Sequence, residues 1–98
     1  MNTKIHSVHF DADSKLIDFI NQKIEKLELF YTEIIGGEVF LRLEKVQDMD
    51  NKVVHIRLNI RGYDVFAEKR SKTFEEATDL TVDALRRQLI KHKSKYDR

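Results

Sequence analysis

Arg86, Arg87, Lys91, Lys93, Lys95 and Arg98 crowd the end of the chain, with Asp97 the only acid from Arg86 onward. At helical spacing Arg87, Lys91 and Lys95 recur every four residues and share one face, and Arg86 and Lys93, seven apart, form a second stripe nearby. Basic stripes are commonly solvated surface tied up in intrahelical ion pairs, but the local acid count here is too low for that. Guanidinium and ammonium groups at this density suit the phosphates of a polyanion, bound through charge, salt-dependently and with little regard to sequence. His92, between Lys91 and Lys93, reads equally as a boundary residue of the buried stripe or as a further phosphate donor.

Other chemistries find no centre. His6 and His9 are three apart on an expected strand and so point to opposite faces, while His55 and His92 have no evident ligand partner, so no metal site is expected. There is no cysteine, which removes disulfides and thiolate ligands. No Gly-rich phosphate loop, serine elbow or HExxH pattern occurs. Glu75 and Glu76 read better as first-turn residues complementing a helix dipole than as an acid and base. The chain is therefore expected to be neither an enzyme nor a cofactor protein, and to have no small-molecule substrate. Phe10, Phe19, Phe30, Phe40 and Phe74 have core explanations, which leaves Tyr63 and Tyr96 as the aromatic candidates for touching RNA.

Composition sets the frame for that basic end. With 98 residues, 41% hydrophobic and 36% charged, the chain is long enough for one core and too short for two ordinary domains, so residues 1–98 are read as a single domain. The net charge of +1 hides an asymmetry: residues 1–50 carry 6 Lys+Arg against 10 Asp+Glu, a balance of −4, and residues 51–98 carry 12 against 7, a balance of +5. The first residues lack the pattern of a secretory signal and no apolar run reaches membrane length, so a soluble, cytoplasmic protein without a membrane partner is expected. Proline is absent and glycine occurs only at 36, 37 and 62, which predicts order nearly throughout.

The elements that must position the basic stripes follow from periodicity. Lys4 to Phe10 predicts a modest strand, with His6, Val8 and Phe10 on one face and Ile5 and Ser7 on the other. Asp13 can cap a helix whose apolar stripe is Leu16, Ile20, Ile24, Leu27 and Tyr31, widened by Phe19 and Phe30. Gly36-Gly37 is expected to stop that helix and its trailing turn through left-handed backbone. Glu38 to Val46 predicts a second strand, Gln47 to Asn51 a hairpin loop, and Val54, Ile56, Leu58 and Ile60 the inward side of a third strand. Its outward side is His55, Arg57, Asn59 and Arg61. Arg61 to Asp64 turns the chain into a fourth strand running from Val65 towards Arg70. Thr73 to Glu76 fits a capping box opening a last helix with the stripe Phe74, Ala77, Thr81, Leu85, Leu89, His92 and Tyr96. The order β-α-β-β-β-α predicts an α+β two-layer domain, a four-stranded sheet with both helices packed on one face and the other face left to solvent or a partner.

These residues resemble a known family. Asp79 to Lys95, and above all Arg87-Gln88-Leu89-Ile90-Lys91-His92-Lys93-Ser94-Lys95, is similar to the terminal-helix signature RQLxKHKxK of the hibernation promoting factor and ribosome-associated inhibitor family. Leu16 to Leu27 is similar to the family's first helix, and Leu58 to Ala67 with Gly62 to its third hairpin, so the resemblance covers essentially the whole chain. Thr73-Phe74-Glu75 departs from the acid-x-aromatic entry to the last helix that the family often shows, and Glu25 and Glu28 dilute the first helix's positive face. The resemblance implies a non-enzymatic factor that binds the 30S subunit and its 16S rRNA within 70S and 100S ribosomes. It would occupy the mRNA and tRNA channel, silence translation under stress or in stationary phase, and, as a short form ending at Arg98, favour inactive ribosome dimers. Position by position it implies rRNA-binding roles for Lys23, Lys26, Arg87, Lys91, Lys93 and Lys95, with Arg86 and His92 matching less closely. A general double-stranded RNA-binding module is the alternative, since a sheet backed by two helices is similar to those domains. A small enzyme or ligand-binding α+β domain is a third reading, to be told by a deep pocket with converging polar groups.

Overall fold

The computed structural model describes residues 2–8, 10–44 and 50–96, with side chains over 3–8, 10–44 and 50–93. The elements are β1 (Asn2–Val8), α1 (Ser14–Phe30), β2 (Ile34–Leu43), β3 (Lys52–Ile60), β4 (Tyr63–Ser71) and α2 (Phe74–Tyr96). This is the expected β-α-β-β-β-α order. One four-stranded sheet runs β1-β2-β3-β4, with β1 parallel to β2 and the other two pairs antiparallel.

Helix α1 starts where Asp13 can cap it, for the Leu16 N–H donates to the Asp13 carboxylate at 2.8 Å. Its stripe of Leu16, Ile20, Ile24 and Leu27 is buried, and Tyr31 joins the core as the capping residue at the other end. In α2 the Glu76 N–H donates to the Thr73 hydroxyl at 3.0 Å, one half of the expected capping box. Ala77, Thr81, Leu85 and Leu89 bury the inner side of α2 over Val54, Ile56, Leu58, Val65 and Ala67 of β3 and β4. Thr81 costs the core little because its hydroxyl is bonded, to the Ala77 carbonyl at 2.7 Å and the Val54 carbonyl at 3.2 Å. That second contact ties α2 to β3.

The structure corrects the expectation for Gly36-Gly37. Helix α1 ends earlier, at Phe30, with Tyr31 extended, and both glycines lie inside β2, where Gly36 pairs with Asn2 and Asn59 and Gly37 with Thr3 and Leu58. Strand β2 therefore begins at Ile34, before the expected Glu38, and its register shifts between Ile34 and Gly36. Ile34 and Ile35, β-branched and adjacent, favour extended backbone, and pairing on both sides holds two glycines that bring no propensity of their own. The glycine with positive φ is Gly62, at +91°, in the two-residue link between β3 and β4.

In β1, Ile5 packs on the core and His6 points to the open sheet face. Phe10 follows the strand and stacks on Phe74 at 5.0 Å between ring centroids, tying the start of the chain to the start of α2. His9, residues 45–49 of the β2–β3 loop, and the side chains of Lys95 and Tyr96 lie outside the described residues. Among those described, no helix is long and apolar enough to cross a membrane.

Candidate nucleic-acid interface

The two layers present two surfaces on which charge is handled differently. On the open sheet face, arginines and glutamates bind each other, mostly across strands. Arg57 on β3 donates to Glu38 on β2 at 2.6 Å, Arg42 on β2 reaches Glu68 on β4 at 2.9 Å and Glu44 at 3.2 Å, and Arg70 on β4 reaches Glu44 at 3.3 Å. His6 and His55 sit 3.2 and 3.4 Å from Glu38 and Glu68. The Arg57 guanidinium holds the Glu38 carboxyl below its ordinary range, with His6 adding to the effect, and Arg42 does the same to Glu68. Between the ion pairs runs a row of rings, His6, Phe40, His55 and Phe66, one from each strand, with successive centroids 4.9, 5.9 and 6.1 Å apart. His55 is thus the polar residue of a wet sheet face that the alternation predicts.

The helical surface is different. Lys23 and Lys26 on α1 and Arg86 on α2 border a groove of about 280 Å³ floored by Leu27 and Val82, into which Asp79 and Asp83 of α2 also project. The Lys23 ammonium bridges the helices to Asp79 at 3.0 Å and lies 5.3 Å from the Phe19 ring centre. Arg86 crosses the same seam by lying 4.9 Å over the Phe30 ring, so a face that the stripe assigns partly to the core serves as a platform for a cation. Arg87 pairs with Asp83 one turn earlier. This revises the reading that local acids are lacking. Counting from Arg86 onward leaves out Asp83, whose i,i+4 position suits it to Arg87.

Lys26, Arg86, Lys91 and Lys93 have no carboxylate partner among the described residues. With about 100° between successive helical residues, Arg86 and Lys93 line the side of α2 that faces α1, while Arg87 and Lys91 lie on the side towards β4. Gln88 marks that second side, since its amide donates to the Phe66 carbonyl of β4 at 2.9 Å. The two expected stripes therefore exist but straddle the outer surface of α2 and do not merge into one patch. Lys95, the last member of its stripe, is not among the described side chains.

His92 settles against Tyr63, with ring centroids 3.9 Å apart and planes tilted by 30°. That is the boundary position; the same ring lines a second, larger cleft of about 570 Å³ together with Tyr31, Tyr63, Arg61 and Lys93. The Tyr31 and Tyr63 hydroxyls hydrogen-bond at 3.0 Å and join the end of α1 to the start of β4. Arg61 is the functional candidate that sequence reasoning missed. Alternation assigns it to the outward side of β3, and only the tertiary fold brings the β3–β4 turn beside the far end of α2. No group of three or more His, Asp or Glu residues able to hold a metal occurs among the described residues.

Comparison with known proteins places the chain in a family. Residues 3–97 match the family model described as sigma 54 modulation protein / S30EA ribosomal protein. The ribosome hibernation promoting factor of Azotobacter vinelandii is 32% identical over 95 residues, which span 97% of this chain and 85% of that protein. The protein of the same name from Klebsiella oxytoca is 33% identical over 97% of this chain and 96% of its own length. Among solved structures, a ribosomal subunit interface protein from Coxiella burnetii superposes with a TM-score of 0.86 at 20% identity, covering 96% of this chain and 99% of that one, which establishes the shared fold. With the family model matched over nearly the whole chain and relatives above 30% identity, the chain belongs to the ribosome hibernation promoting factor family.

Proposed function

We propose that this chain is a non-enzymatic ribosome hibernation factor, acting as one ribosome-binding domain over residues 1–98. It binds the 16S rRNA of the 30S subunit through its helical surface, within 70S and 100S ribosomes in the cytoplasm. Seated in the mRNA and tRNA channel, it silences translation and favours inactive ribosome dimers. The observation that carries the reading is the partition of cations. The sheet-face arginines are held by carboxylates, whereas Lys26, Arg86, Lys91 and Lys93, on the helices, are left for an external anion. Phosphate is the anion such a surface suits, because unpaired cations release counterions to it without first breaking an internal bond. Lys23, Arg87, Lys95 and His92 join the same interface, the first two by exchanging Asp79 and Asp83 for phosphate. The names of the relatives support the ribosome as the source of that phosphate.

Co-sedimentation with 30S subunits, 70S ribosomes and an unrelated RNA duplex at two salt concentrations tests the proposal. Saturable one-to-one binding to ribosomes that excludes tRNA is the expected result. Equal binding to the duplex would replace it with the general double-stranded RNA module, and no binding to ribosomes would end it.

A further inference from the structure

The cleft at the far end of the helical seam has a composition unlike the groove beside it. About 570 Å³ in volume, it falls within the range of roughly 300–1,000 Å³ that small organic ligands occupy. Two cations stand on its rim, Arg61 from the β3–β4 turn and Lys93 from α2, neither with a carboxylate partner among the described residues. Its wall is aromatic, made by Tyr31, Tyr63 and the His92 ring, which lies tilted against Tyr63. Glu33, exposed and also lining the cleft, offers acceptor oxygens. The turn that carries Arg61 stays low because Gly62 has no side chain, and a Cβ there would meet nothing within 4 Å, so the space above it is open.

Cations, π faces and an acceptor within one small cleft match the parts of a nucleotide: phosphate, base and the amino or hydroxyl donors of base and ribose. A duplex cannot use such a site, since its bases are stacked and their faces covered, whereas a single strand can turn a base out. The cleft adjoins the groove through the contact of Arg86 with Phe30. Phe30 carries Arg86 on its ring and lines the cleft, so phosphates following Lys26 and Arg86 along the seam lead a strand to Arg61 and Lys93.

We propose that this cleft binds a nucleoside phosphate supplied as one unstacked nucleotide of a single-stranded RNA segment, the phosphate on Arg61 and Lys93 and the base against the Tyr63 wall. The inference rests on the RNA-binding reading of the helical surface and adds a single-stranded, base-contacting site to it. Free nucleotides share the chemistry, and the test separates the two sources.

The experiment is an amide-resolved NMR titration of the whole chain with each of the four nucleoside monophosphates, with oligoadenylate and oligouridylate of six nucleotides, and with an RNA duplex, beside 30S co-sedimentation. The oligonucleotides should move the signals of Arg61 to Tyr63, Glu33 and Lys93 at concentrations where monophosphates and duplex do not. Arg61→Gln, a change at an exposed side chain without an internal partner, should leave the melting temperature unchanged and lower the oligonucleotide salt slope by about 0.7. Tyr63→Leu should weaken oligonucleotide binding at least about fivefold; Arg61→Gln keeps the test decisive if Tyr63→Leu impairs folding. Monophosphates binding as tightly as oligonucleotides would overturn RNA as the source. Signals confined to the Lys26–Arg86 groove, with Arg61→Gln silent, would overturn the cleft itself. If wild-type protein fails to bind ribosomes yet the oligonucleotide shifts appear, the ribosomal reading falls and the cleft stands; if ribosomes bind and the shifts are absent, the reverse holds.

Discussion

Removing two carboxylates from the helical groove should strengthen RNA binding. Asp79 holds Lys23 at 3.0 Å and Asp83 holds Arg87, so two of the cations proposed to meet rRNA begin in the hands of the protein's own acids. The groove brings Lys23, Lys26 and Arg86 together with Asp79 and Asp83, a formal balance of three cations against two anions. Asp79→Asn with Asp83→Asn turns that +1 into +3. The Arg87–Asp83 pair is largely exposed and the Lys23–Asp79 pair partly so, and surface pairs stabilise a fold by about 0–1 kcal/mol each, so the variant should remain folded and melt only slightly lower. For binding, a carboxylate about 5 Å from an incoming phosphate repels it by roughly 0.8 kcal/mol in water, so two removed acids amount to about 1.6 kcal/mol, or roughly fifteenfold before salt screening. Two released cations should also steepen the salt dependence, by up to about 0.7–0.9 per cation. Co-sedimentation with 30S subunits across a salt series reads both quantities. A variant that binds more weakly, or binds more tightly with an unchanged slope, would refute the reasoning. The acids would then be positioning Lys23 and Arg87, or the phosphate path would lie elsewhere.

Gly62→Ala should cost about 1–2 kcal/mol of stability in a denaturant melt although its Cβ meets no atom, because φ of +91° strains any L side chain. Thr81→Val should lower stability by about 1 kcal/mol, since it deletes a fully buried hydroxyl that bonds the Ala77 and Val54 carbonyls; an unchanged melt would mean that this link between α2 and β3 contributes nothing net. Arg42 holds the Glu68 carboxyl below its ordinary value near 4.5, so the stabilisation from Glu68 is present above that value and lost as pH falls through the lowered one. Glu68→Gln should therefore narrow the gap between melting temperatures at neutral and acidic pH, and an unaltered gap would show that the pair does not feed into stability.

Much of the fold was legible because its signals are local. The alternation of Val54 to Ile60 and the stripe Leu16 to Leu27 can each be satisfied by one kind of backbone, and Asp13 and Thr73 mark helix starts through bonds to residues three positions on. Gly36-Gly37 was misread because its role is set from outside. Two glycines after a helix read as a stop in isolation, yet β1 pairs with them on one side and β3 on the other. The candidate site divides in the same way. The spacing of Arg86, Arg87, Lys91 and Lys93 is visible in the sequence, whereas the capture of Lys23 by Asp79, the seat of Arg86 on Phe30 and the arrival of Arg61 beside Lys93 depend on how α1, α2 and the β3–β4 turn meet.

The division of labour between the two faces follows from the geometry of the elements that build them. In a sheet each outward residue has fixed neighbours across both strands, so opposite charges placed in register pair without further help, and Glu38 with Arg57 does so at matched positions of β2 and β3. Along a single helix, charge partners lie three or four residues away. Lys91 has Arg87 and Gln88 one turn before it and Ser94 and Lys95 one turn after it, and Lys93 looks back on Leu89 and Ile90. Lys91 therefore has no acid within reach along α2, while Lys93 has Asp97 four residues on, outside the described residues; among those described neither cation is paired, and leaving them so costs little because water solvates them. A surface of exposed, unpaired cations on a rigid helix is already arranged for phosphate before any RNA arrives. The sheet opposite has its arginines committed to Glu38, Glu44 and Glu68 and keeps Lys4 of β1 as an exposed cation without a carboxylate partner among the described residues, so it offers less such charge. RNA should thus meet this domain from the helical side, which leaves the row of rings ending at Phe66, 62% exposed, facing away from the nucleic acid.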